Sequence, residues 1–211
     1  MSKSAMIYHQ DALEAHPIVS VPDPHQEVYS KNVFGFWLYL MTDCLLFASL
    51  FATYAVLHHN TFGGPSAKEL FHLSTAFAET MLLLFSSITC GFALLSATKS
   101  QAQKTLFWLG LSFLLGASFI AMELTEFHDL VKDGHGWEKS AFLSSFFTLV
   151  GTHGLHVTIG LFWMANLIGQ VAYCGISLDT FRRLVIFGLF WHFLDLVWIF
   201  IFTFVYLMGV M

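Results

Sequence analysis

Long apolar runs alternate along this chain with short polar stretches. Five runs, at about residues 32–57, 74–97, 105–127, 140–168 and 184–208, can each cross a hydrocarbon core of about 30 Å, which takes about 20 helical residues. The runs lack the in–out alternation of a barrel strand, so the pattern predicts helices. A helix also pairs every backbone amide within its own segment, which an open sheet in lipid cannot do. The linkers at residues 58–71, 98–104, 128–139 and 169–183 carry charges or breakers such as Gly63, Gly64 and Pro65. The expected fold is all-α: a polytopic bundle of five transmembrane helices over residues 32–211, preceded by a polar tail at 1–31.

Composition agrees with the pattern. Of 211 residues 56% are hydrophobic and 11% charged, and mean hydropathy is +0.68. Soluble domains carry about 25% charged residues. The first thirty residues hold His9, Asp11, Glu14, Pro17, Pro22, Asp23 and Pro24 rather than an apolar core, so no cleavable signal peptide is expected. The first helix then directs insertion. Lys3, Lys31, Lys99, Lys104, Arg182 and Arg183 fall on the side of the tail and of the second and fourth linkers. The other side holds Lys68, Lys132 and Lys139. The excess of basic residues predicts the N-terminus inside and the C-terminus outside. A net charge of −5 with no basic cluster beyond Arg182 and Arg183 argues against a nucleic-acid partner. Cys44, Cys90 and Cys174 form no CxxC pair, and Cys44 and Cys90 lie in apolar runs as expected of small core residues.

Ionisable groups in a bilayer cost roughly 2.5–3.5 kcal/mol each on insertion scales, so each one needs a partner or a purpose. Asp43 shares a helical face with Phe36, Phe47 and Tyr54, beside a seam of small residues at Gly35, Thr42, Ser49 and Thr53. On the second run Glu79 stands near the outer end, above a seam of Ser86, Cys90, Ala93 and Ala97. The third lines up Ser112, Gly116, Glu123 and Glu126, the fourth His153, His156 and Gly160, and the fifth Gly188, His192 and Asp195. These acids and imidazoles are expected to meet in a buried hydrogen-bonded network. It can serve to fix the packing of helices three to five, to carry protons, or to hold metal or haem. The pairs are Glu-x-x-Glu, His-x-x-His and His-x-x-Asp, which fit the Glu-x-x-His template of di-iron bundles poorly. Aromatic residues make up 17% of the chain, and Trp37, Trp108 and Trp137 near span ends are expected at the membrane interface.

The segment from Phe34 to Tyr54, with Met41-Thr42-Asp43-Cys44 at its centre, resembles the first conserved helix of haem–copper oxidase subunit III. Leu82 to Thr89 resembles the family's next helix. Gly151 to Gly160 resembles its Gly-Thr-His-Gly-x-His-Val-x-x-Gly run, and Trp191 to Trp198 its final helix. The motifs fall in order on four of the five runs. Mitochondrial-type members generally have seven helices, and this chain lacks the first two. Five helices, with Asp43 where many members carry Glu, look like the cytochrome o ubiquinol oxidase branch.

That resemblance implies a complex of the bacterial inner membrane that oxidises ubiquinol, reduces oxygen to water and pumps protons. Haem b, haem o and copper would sit on subunit I, and this chain would carry no cofactor and no catalytic residue of its own. It would pack against subunit I, its main partner, with subunits II and IV in the same complex, and would hold phospholipid in a cleft between helices. Bound ubiquinone is a further component of such a complex. Subunit III of a cytochrome c or nitric oxide reducing assembly is an alternative. So is a small membrane transporter, although Pro17, Pro22, Pro24 and Pro65 all lie outside the runs where a transporter would break its helices. A di-haem membrane cytochrome has only the histidine spacing in its favour.

Overall fold

A computed structural model describes residues 24–57, 73–134, 136–207 and 209. The tail before residue 24 and the Gly63-Gly64-Pro65 linker lie outside the described residues. Five helices account for nearly all the rest: α1 (Pro24–Leu57), α2 (Leu73–Thr98), α3 (Ala102–Lys132), α4 (Ala141–Cys174) and α5 (Leu178–Ile201). A six-residue π-helical turn (Phe202–Leu207) continues from α5. Each helix contains a stretch long and apolar enough to cross a membrane. The shortest such stretch, in α2, has 26 residues, or about 39 Å at 1.5 Å per residue. There is no strand among the described residues. The chain divides into two units at the Gly35–Phe36 bond. The helical residues before that bond open α1, and all packing described below is within the second unit.

The helices end where local chemistry stops them. After α2, Ser100 adopts φ 53° and the chain reverses, with the Lys99 and Gln101 amides donating to the Ser96 carbonyl. Gly134 at φ +75° turns the chain after α3. Ser140, extended in backbone, accepts from the Leu143 amide and caps α4, satisfying one of the free donors of its first turn. Gly175 at φ +69° ends α4, and two residues on Ser177 caps α5 by accepting from the Thr180 amide.

Helices α2, α3, α4 and α5 form a closed ring, each packed on the next and α5 back on α2. Lipid tails are as apolar as leucine, so packing and interhelical hydrogen bonds drive association in this setting. Both are visible between α2 and α3. The predicted seam Ser86, Cys90, Ala93 and Ala97 is buried, and Ser86 and Ser112 hydroxyls lie 3.0 Å apart, with Ser112 also donating to the Ser86 carbonyl at 2.9 Å. At the centre of the ring the Trp191 indole fills the space left by Gly116 on α3 and Gly160 on α4, and donates to the Ser86 hydroxyl at 3.1 Å.

Helix α1 stands outside the ring and meets α4 and α5 through large side chains rather than close backbones. Phe36 packs edge-on to Trp163, Tyr39 lies 6.5 Å from Phe190, Phe51 meets Phe200 and Phe204, and Tyr54 meets Phe142. The seam of small residues is not what α1 turns toward the rest of this chain. Thr42, Ser49 and Thr53 are exposed, each hydroxyl donating to a carbonyl of its own helix. Cys44 is exposed as well, not a core residue, while Cys90 is buried. The aromatic face carrying Asp43 won the contact because it buries far more side-chain surface than the small residues offer.

Candidate functional site

Among the described residues, the polar side chains of the spans do not form one network. They divide into separate groups, each at a different helix junction.

The first joins α1 to α4. Asp43 is buried, and its carboxylate lies 3.8 Å from His156 Nε2. The other ring nitrogen of His156, Nδ1, donates to the Thr152 carbonyl at 2.8 Å, which fixes the orientation of the imidazole. Phe47 covers the His156 ring at a centroid distance of 5.4 Å. The α1 face predicted from spacing is the one that docks, with Leu40, Asp43, Phe47 and Tyr54 all buried.

The second group lies between α2, α3 and the π-helical turn. Glu79 is fully buried, Glu123 is 2% exposed and Glu126 half-buried. Buried Tyr206 donates to Glu126 Oε2 at 3.3 Å. All four are close enough to feel one another electrostatically. The pair on α3 thus faces a third acid and a phenol, not the histidines of α4. The π-helical turn brings Tyr206 here: its wider winding turns Val205 and Tyr206 inward and leaves Phe204 exposed.

The third group joins α2 to α5. The hydroxyl of Ser87 lies 2.6 Å from His192 Nδ1, with Asp195 one turn along the same helix. Asp195 is half-buried and His192 is exposed, so the α5 face of Gly188, His192 and Asp195 is only partly interior.

His153 stands alone. It is fully buried, stacked on Trp198 at 5.3 Å and flanked edge-on by Phe119 and Phe47. Neither ring nitrogen has a hydrogen-bond partner among the described residues. Trp198, which holds the ring in place, donates its own Nε1 to Thr80 at 3.1 Å. Among the described residues no three His, Cys, Asp or Glu side chains converge as a ligand set for a metal ion.

Some partners were not singled out by sequence reasoning. Ser87 and Tyr206 are ordinary hydroxyl residues, and only pairing across helices marks them. Trp191 and Trp198 had a readable signal, since tryptophans in mid-span, away from an interface, call for a donor partner inside the protein.

An apolar cavity of about 650 Å³ opens between α1 and the end of α5, lined by Ala48, Phe51, Tyr54, Ala55, Phe200 and Phe204. It is large enough for a stretch of hydrocarbon chain, and the aromatic spacing of α1 from the ring creates it.

Comparison with known proteins gives one family. A family model described as cytochrome c oxidase subunit III matches residues 22–210. Cytochrome bo(3) ubiquinol oxidase subunit 3 of Pseudomonas aeruginosa is 53% identical over 206 residues, covering 98% of this chain and 99% of the relative. Cytochrome c oxidase subunit 3 of Bacillus sp. (strain PS3) is 45% identical over 201 residues, 95% and 97% of the two chains. Quinol oxidase subunit 3 of Bacillus subtilis (strain 168) is 45% identical over 178 residues, 84% and 87%.

Proposed function

The chain belongs to the cytochrome c oxidase subunit III family, and on that premise we propose that it is the non-catalytic third subunit of a proton-pumping terminal oxidase that takes electrons from ubiquinol. The observation that carries the choice of donor is the 53% identity, over nearly the whole of both chains, to a ubiquinol oxidase subunit 3. In this reading electron transfer and oxygen reduction belong to haem b, haem o and copper on subunit I. This chain packs against subunit I, in company with subunits II and IV, and steadies it. The complex lies in a bacterial inner membrane, with the N-terminus of this chain inside and its C-terminus outside, as the placement of Lys and Arg favours.

The interior supports a packing role for the polar groups. Asp43–His156, Ser87–His192 and Tyr206–Glu126 each tie one helix of this chain to another. Among the described residues these contacts lie at separate helix junctions, as suits packing. The cavity beside Phe51 and Phe204 offers a phospholipid acyl chain a place between α1 and α5, and the complex can hold ubiquinone elsewhere.

A second reading, subunit III of a cytochrome c oxidase, is favoured by the Bacillus sp. (strain PS3) relative at 45% identity. One experiment separates the two: purify the complex in mild detergent through a tag on this chain, identify its polypeptides by mass spectrometry, and assay oxygen uptake with each donor. A haem-bearing large subunit and uptake with ubiquinol are expected. Uptake only with reduced cytochrome c would favour the second reading, and absence of any haem protein would overturn both.

A further inference from the structure

We propose that the outward face shared by α2 and α5 around His192 is a docking face for a transmembrane helix of a second polypeptide, one that presents a hydroxyl or carboxamide side chain at mid-span. The inference rests on reading the chain as a subunit of a membrane complex. It adds which face meets a partner and what chemistry that partner brings.

His192 sits near the middle of the span Leu178–Leu207, and Ser87 near the middle of Leu73–Thr98. Both are therefore at the depth where water is scarcest. Trp191 and Leu194, on either side of His192, are buried, but the imidazole itself is exposed. Its Nδ1 is taken by the Ser87 hydroxyl at 2.6 Å. Among the described residues, Ser87 supplies the one hydrogen bond of this ring. An acyl chain cannot satisfy the exposed imidazole, and a polar side chain facing hydrocarbon is costly. A protein helix with its own polar side chain removes that cost.

The chemistry of the ring narrows the partner. Nε2 donates in one tautomer and accepts in the other, and hydroxyl and carboxamide groups do both. A lysine or glutamate would bring a charge to mid-membrane and so is disfavoured. The shape of the face also suits a helix. Gly91, one turn along α2 from Ser87, has open space where a Cβ would stand. Ile88 and Leu196 give exposed apolar flanks. A small residue beside a hydrogen-bonding one is the combination that brings transmembrane helices together.

The test places the photoreactive residue p-benzoylphenylalanine at Leu196, one turn from His192, in the tagged complex in native membranes. The expected result is an adduct to a different polypeptide that copurifies with this chain. Ser87→Ala breaks the bond within this chain and should leave the adduct in place. His192→Gln should copurify with its partner to within about twofold of the unaltered chain, and His192→Phe should fall about three- to tenfold, the effect of one interhelical hydrogen bond. Adducts to lipid alone, or to a second copy of this chain, would overturn the inference, as would unchanged copurification of His192→Phe. If the tagged chain copurifies with other subunits while Leu196 finds only lipid, the docking face is wrong and the subunit reading stands. If nothing copurifies, the subunit reading itself fails.

Discussion

Replacing Gly116 by alanine puts a methyl group where the Trp191 indole already lies. The added Cβ would stand 2.9 Å from Trp191 Cζ2 and 3.1 Å from both Trp191 Cη2 and Leu161 Cδ2. Carbon atoms in comfortable contact sit about 3.5–4.0 Å apart, so the ring must move by roughly half an ångström. It has nowhere to go. Its Nε1 is tied to Ser86, and the side chain is 2% exposed. Overpacking of this kind costs about 1–3 kcal/mol. The exchange of glycine for alanine within a helix returns up to about 1 kcal/mol. Gly110, on the same helix, isolates that second effect, because a Cβ there meets nothing within 4 Å. The difference between Gly116→Ala and Gly110→Ala is therefore the steric cost itself, about 1–3 kcal/mol. For a chain of this size each kcal/mol moves a melting midpoint by about 2–4 °C. The assay is the thermal midpoint for loss of this chain from the detergent-solubilised complex, read by size-exclusion chromatography. Gly116→Ala should melt at least about 2 °C below Gly110→Ala. Pairing Gly116→Ala with Trp191→Leu should cost less than the sum of the two changes, since both act on one space. A Gly116→Ala variant that melts with or above Gly110→Ala would refute the packing described for Trp191.

Other perturbations follow from the same contacts. Gly188→Ala would bring a Cβ within 2.6 Å of Leu94 Cδ1, the far end of a flexible side chain that can rotate away, so its midpoint should fall less than that of Gly116→Ala. Asp43→Asn keeps a polar group beside His156 Nε2 and should assemble near the unaltered level. Asp43→Leu removes that contact and should lower recovery of the complex by an amount equivalent to about 0.6–1.7 kcal/mol, measured as complex per milligram of membrane protein. Phe204→Ala removes one wall of the apolar cavity and should reduce the phospholipid phosphorus retained after a detergent wash, with no change in the Tyr206–Glu126 contact.

The helices were legible because span length and uninterrupted hydrophobicity are one-dimensional properties, and the runs could be read without knowing any neighbour. Faces were legible too. Helical spacing alone places Asp43 with Phe47 and Tyr54, and Ser112 with Gly116 and Glu123, and the structure puts each set on one side of its helix. What spacing cannot say is which side turns inward, because in lipid both the core and the surroundings are apolar. Hence the small residues Thr42, Ser49 and Thr53 looked like a packing seam but lie exposed, and His192 looked interior but faces outward. Pairing across helices was less legible still. Glu123 and Glu126 could have met the α4 histidines; they meet Glu79 and Tyr206 instead, because the π-helical turn after α5 rotates the phenol into the ring. No apolar run announces a π-helical turn.

In the proposed function redox chemistry belongs to other polypeptides, and this one has the task of holding helices together. The most direct measurement strips this chain from the purified complex with a stronger detergent and follows haem, and ubiquinol-dependent oxygen uptake per haem, in both fractions. The remaining complex should keep all the haem and begin turnover at close to its original rate. Haem leaving with this chain, or a remainder that holds its haem and takes up no oxygen, would contradict it.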